Sequence, residues 1–207
     1  MTNKVLAETV IRVLSDPAIT RVNFQLYGRF VTGNRYLSMM SLYSMGFIDC
    51  VVGVPPNPDL PPGTARECLY VPEHHRMHFQ NEQYGSTSHI EKSNIAHEAT
   101  HALFDSFYGA TGGTHILAIE DEATAWLAQA VYFHRAGLLG GPFIDGSALA
   151  EALKLVYKLA DGSGAFGSDG RICTVSPADA MPLRQAAAAD HKLVGGRATI
   201  ESVYNGF

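Results

Sequence analysis

His97, Glu98 and His101 stand in the spacing His-Glu-x-x-His. In a helix, four residues advance about 6 Å and turn about 400°, so the two imidazoles lie one above the other on the same face. Zinc accepts neutral imidazole nitrogen at about 2.0 to 2.1 Å and tolerates a tetrahedral site with one corner left to water. Two histidines so stacked grip one ion. Glu98, turned about 100° from His97, reaches that water without ligating the metal and is placed to take its proton. The plain alternative is a pair of structural histidines satisfied by packing.

That chemistry needs a helix, and the flanking residues supply its signals. Ser88 and Glu91 read as a capping box, in which Ser88 accepts from a free backbone N–H and Glu91 reaches back. The helix runs on through Ile95, Ala99, Ala102 and Leu103 to about Phe107, with Gly109 as its stop. A glycine-rich connection over 108–114 leads to a second stretch dense in Ala, Leu and Trp, which reads as a buried helix ending near Phe133. Glu120 and Glu122 both lie at its start. Two residues apart on a helix point about 200° from each other, so only one of them joins the histidines on one ion. His115 and Asp121 are further ligands by residue type.

At this point the chain resembles the gluzincin branch of the zincin metallopeptidases, whose third ligand is usually the first residue of Glu-x-x-Ala/Ser one helix downstream. Glu120 fits that form, with Thr124 where the branch usually has Asp or Asn, and the interval resembles His-Glu-x-x-His-x(18)-Glu. Glu122 also starts a Glu-x-x-Ala, but Trp126 then stands at the polar position. The resemblance therefore favours His97, His101 and Glu120 as ligands of one Zn2+, with Glu122 the alternative and Glu98 the general base. It covers residues 88–133, and Glu-x-Glu-Ala before a buried helix also looks like small regulatory peptidases of the ImmA/IrrE type. It implies hydrolysis of a peptide or protein substrate and a Tyr, His or Arg that stabilises the oxyanion, for which Tyr108, His115, Tyr132 and His134 are candidates. Thr124 or Asp105 would orient a ligand from behind. The competing function is a zincin-fold regulatory, sensor or interaction module with little turnover, although such a site has no need of Glu98. Hydrolysis of a non-peptide amide is a third reading.

The remaining chain is read as the frame for this site. The 207 residues, 46% hydrophobic and 17% charged, suit one zincin-like α+β domain over 1–207. Residues 1–87 read as a helix and a small mixed or antiparallel sheet, 88–136 as the metal-site helices and 137–207 as a mainly helical region. A net charge of -5 without a basic run argues against a nucleic-acid surface. No segment has the length and apolarity of a membrane span, and the amino-terminal run carries Glu8 and Arg12 without a cleavage pattern. Cytoplasmic residence is expected, a processed form or leaderless export being the alternatives. Cys50, Cys68 and Cys173, odd in number, read as buried thiols in a reducing compartment.

Helical spacing covers residues 5–14, ended by Asp16-Pro17, and residues 148–160. Strands are expected over 22–26, 50–54, 68–71 and 76–79, with 36–43 ambiguous. Zincins carry a sheet before the active-site helix, and its edge strand pairs with extended substrate. The prolines of 55–63 mark an extended connection, and 161–170 reads as a loop without the order of a calcium site. Ser176 and Pro177 announce another helix, while 198–204 is a strand or short helix. His74, His75 and His78 read as exposed or substrate-facing, since strand alternation splits them between faces around Arg76.

Overall fold

The amino-terminal helix α1 (Lys4–Leu14) opens on Asn3, whose side chain accepts from the N–H groups of Val5 and Leu6. Its apolar stripe of Leu6, Val10, Val13 and Leu14 is buried. Asp16 ends this run and caps the short α2 (Pro17–Thr20). This computed structural model describes residues 2–53, 67–109, 117–138, 145–163 and 172–192. The connection 55–63, His115 and the segment 198–204 lie outside them, as does most of 161–170.

Strands β1 (Asn23–Leu26) and β2 (Arg29–Thr32) form an antiparallel hairpin. Its two-residue turn, Tyr27-Gly28, has φ of 49° and 76°, the positive values that match the right-handed twist of a hairpin. Sequence reading missed β2 because tyrosine rarely takes the first of those positions. The ambiguous stretch is helix α3 (Gly33–Met45), capped by Thr32 and stopped by a left-handed Gly46. Tyr36, Met39 and Tyr43 recur at helical spacing and point into the core.

Strands β3 (Asp49–Val52), β4 (Cys68–Val71) and β5 (Arg76–Phe79) make a second sheet in the order β3-β5-β4. β3 runs parallel to β5, and β4 pairs with it antiparallel, so β4 is an edge. The single small sheet expected is thus two sheets. The first, β2-β1-β6, is completed from far down the chain by β6 (Cys173–Thr174), parallel to β1.

Helices α4 (His89–Phe104), α5 (Ala118–Arg135), α6 (Ala148–Ser163) and α7 (Met181–Lys192) supply the rest, making the fold α+β. α6 runs three residues past the expected end, and α7 begins five residues after Ser176, which instead holds a turn by accepting from the Asp179 N–H. Contacts between α4 and α5 run in opposite senses: His101 meets Asp121, His97 meets Trp126 and Asn94 meets Gln129. The two helices are therefore antiparallel. Ala96, Ala99 and Ala102 on α4 and Ala123, Ala125 and Ala130 on α5 are all buried, and side chains this small let helix axes approach closely. The three cysteines are free and buried. Among the described residues, no helix is long and apolar enough to cross a membrane.

Candidate metal centre

α4 begins as its sequence demands, with the Ser88 hydroxyl accepting from the Glu91 N–H. Only half of the expected capping box forms. The Glu91 carboxylate accepts from the Gly85 N–H at 2.8 Å, tying the preceding turn to the helix. Gly85 has φ of 77°, a left-handed backbone that glycine adopts without strain, and it lies against the Ile95 side chain of α4. Beyond Phe104 the helix widens into a π turn over Asp105–Gly109.

Two histidines one turn apart on α4 meet one carboxylate of α5. His97 and His101 are buried, and their Nε2 atoms lie 3.3 Å apart. α5 brings Glu122 to both: one carboxylate oxygen stands 3.3 Å from Nε2 of His97 and the other 3.7 Å from Nε2 of His101. A tetrahedral ion with bonds of about 2.0 to 2.1 Å separates its donors by about 3.3 to 3.4 Å. The two imidazole nitrogens sit at that spacing, the carboxylate oxygens stand within 3.3 to 3.7 Å of them, and among the described residues these three form the one group that could hold a metal ion.

Asp121 completes the grip on His101. Its carboxylate lies 3.2 Å from Nδ1, the arrangement that keeps the proton on Nδ1 and turns the Nε2 lone pair toward a metal. Burial pushes the His101 imidazolium toward losing its proton. The carboxylates of Asp121 and Glu122, with Glu98, outweigh that and raise the pKa to about 10. His97 is held differently. Its Nδ1 is buried without a hydrogen bond, and its ring meets Trp126 edge-on at 4.6 Å.

Glu98 is half-buried beside this cluster, and its Oε2 accepts from the Tyr70 N–H of β4 at 2.8 Å. Burial raises its pKa above the usual carboxylate value, opposed by positive charge on His97 and His101 and by that hydrogen bond. A carboxylate made more basic in this way is a better proton acceptor than an exposed one.

Glu120, favoured by the resemblance, is turned elsewhere and accepts from Nε of Arg184 on α7 at 3.3 Å. The physical reason is the rotation of α5. Glu122, Trp126 and Gln129 recur at i, i+4 and i+7 on the face toward α4, where Trp126 packs on His97 and Gln129 donates to Ser93 and Asn94. The tryptophan that counted against Glu122 in the pattern is part of what brings it to the histidines. Twenty residues, 102–121, then separate the second histidine from the carboxylate.

The supporting candidates divide similarly. Thr124 bonds back to the Glu120 carbonyl within α5. Asp105 accepts from the Tyr70 hydroxyl and contacts His75 rather than His97 or His101. The Tyr108 hydroxyl accepts from the Phe30 N–H and from Arg35, Tyr132 contacts His89, and the His134 ring rests on Tyr157. His78 contacts the Gly53 carbonyl. Asp121 was legible only as a possible ligand. Its seat beside His101 follows from its place next to Glu122 at the start of α5, where acids also suit the helix dipole. Compared with models of protein families, with curated proteins and with solved structures, the chain matches none.

Proposed function

We propose that the protein is a zinc-dependent metallopeptidase of the gluzincin type, with His97, His101 and Glu122 as ligands of one Zn2+ and Glu98 as general base. The observation that carries this reading is the convergence of two imidazole nitrogens 3.3 Å apart with a carboxylate whose two oxygens stand 3.3 and 3.7 Å from them, a group that could hold a metal ion. Zn2+ bound there supplies a water acidified from 15.7 to about 7 and polarises a substrate carbonyl. Glu98 takes the proton of the attacking water and passes it to the leaving amine, while Asp121 holds His101 in the ligating tautomer. A structural site has no use for a carboxylate at Glu98, which favours an enzyme over a sensor or interaction module. Three buried, unlinked thiols suit the cytoplasm, and a charge of -5 suits peptide rather than nucleic-acid substrates.

The test uses the full chain stripped with chelator and reloaded with one equivalent of Zn2+, assayed on mixed internally quenched peptides. Cleavage is expected only after reloading, with one zinc per chain. Failure to take up zinc, or cleavage indifferent to chelator, sinks the proposal.

A second expectation concerns protons. The lone tryptophan, Trp126, touches His97, so its emission is expected to report Zn2+ binding. His101 keeps its proton to about pH 10 without metal, and each ion bound must displace it. Apparent affinity, read from Trp126 emission against a competing chelator, is therefore expected to rise about tenfold per pH unit between pH 7 and 9. An affinity flat with pH contradicts that coupling.

A further inference from the structure

Tyr70 bonds both to α4 and to the π turn that continues it. Its backbone N–H donates to Glu98 at 2.8 Å, and its hydroxyl donates to Asp105 at 2.6 Å, seven residues further along the helix. The sheet register explains why the N–H is available. Gln80 donates to the Glu67 carbonyl, so the bonded pairs of the antiparallel ladder are 67/80 and 69/78. Tyr70, opposite Met77, then aims its N–H away from β5, off the edge of the sheet. An edge donor that would otherwise need solvent is spent on a side chain of α4.

The second contact fixes the first. Asp105 is fully buried, and the oxygen that accepts from Tyr70 also lies 2.9 Å from Nδ1 of His75, the residue that closes the turn leading into β5. One carboxylate thus gathers the outgoing end of β4 and the start of β5 onto the π turn of α4. Burial, reinforced by Asp105, holds the Tyr70 hydroxyl in its protonated, donating form. A carboxylate on a flexible side chain needs such fixed partners to stay within reach of one water.

We infer that Tyr70, anchored through its hydroxyl to Asp105, is a positioning residue that holds the Glu98 carboxylate through its backbone N–H. As a statement about catalysis this rests on the metallopeptidase reading, in which Glu98 is the general base. The hydrogen bonds of Tyr70 go to Glu98 and Asp105 rather than to the three ligand donors. Its contribution lies in orientation, where a displacement of about 1 Å is enough to cost about a hundredfold in rate.

The experiment follows the residue-70 amide by hydrogen exchange in the full chain, with the Val131 amide in α5 as a control for the fold. Protection at residue 70 is expected in the wild type, and exchange about tenfold faster in Glu98→Ala and in Tyr70→Phe, with Val131 unchanged. Tyr70→Phe is expected to take up Zn2+ as the wild type does. On a cleaved peptide, its kcat is expected to fall about tenfold with KM within about twofold. Should Tyr70→Phe lose the Val131 protection and so the fold, Asp105→Asn, which weakens the same bond and keeps its shape, is expected to move amide 70 in the same direction by less. Wild-type exchange at residue 70 in a folded Tyr70→Phe or Asp105→Asn protein, or zinc uptake lost together with kcat, overturns the inference. A wild type that takes up no zinc overturns the parent reading instead, and with it the catalytic meaning of the contact.

Discussion

Glu98→Gln is expected to lower peptide hydrolysis by about 10²- to 10⁴-fold while one Zn2+ per chain remains bound. The substitution keeps shape and volume, and the amide oxygen still accepts from the Tyr70 N–H, so the half-buried side chain stays on β4. What disappears is basicity. Burial raises the Glu98 pKa and readies that carboxylate to accept a proton, and an amide has no comparable affinity for one. The loss corresponds to about 3 to 5 kcal/mol of transition-state stabilisation. Glu98 is not one of the three groups that could hold the ion, and metal retention separates the loss from a collapsed site. The measurement is kcat/KM on one peptide, with zinc counted in the same sample. A loss of less than about threefold would remove Glu98 from the proton-transfer role and leave the metal with a structural one.

The part of this arrangement legible in the sequence is the part fixed by one helix. His97, Glu98 and His101 lie within five residues of each other, and helix geometry alone stacks the imidazoles. Ser88 marks the start of that helix for a local reason, the capture of a free N–H. The carboxylate that joins the two histidines was not legible in the same way, because it depends on how α5 is rotated against α4. That rotation is set by Trp126 on His97 and by Gln129 on Ser93 and Asn94, contacts between residues more than 25 positions apart. Sequence pattern favoured Glu120 by its spacing, whereas packing brings in Glu122. Strand order was hidden for a related reason. Alternation identifies β4 and β5 as strands, but only the pairing of β3 with β5 makes β4 the edge that meets Glu98. β6 carries two residues, too few for any period to register.

The two glutamates give the sharpest separation between the pattern and the packing. Glu122→Ala is expected to weaken zinc binding by several hundredfold, whereas Glu120→Ala leaves it within about threefold. The first figure follows from sharing the roughly 10 to 16 kcal/mol of a four-cornered zinc site among its ligands, which gives one carboxylate about 2.5 to 4 kcal/mol. Removing it also leaves His101 with one fewer neighbouring carboxylate, so its imidazolium loses part of the support that raises its pKa. The second figure follows from the place of Glu120 on the opposite side of α5. There it meets Arg184 with both side chains partly exposed, and such a pair contributes about 0 to 1 kcal/mol to folding. Equilibrium dialysis with Zn2+ on both variants, read beside the wild type, decides between them. Zinc lost from Glu120→Ala and kept by Glu122→Ala would mean that α5 turns by about half a revolution when it binds the ion. Trp126 would then have to leave His97, and its emission would report the movement.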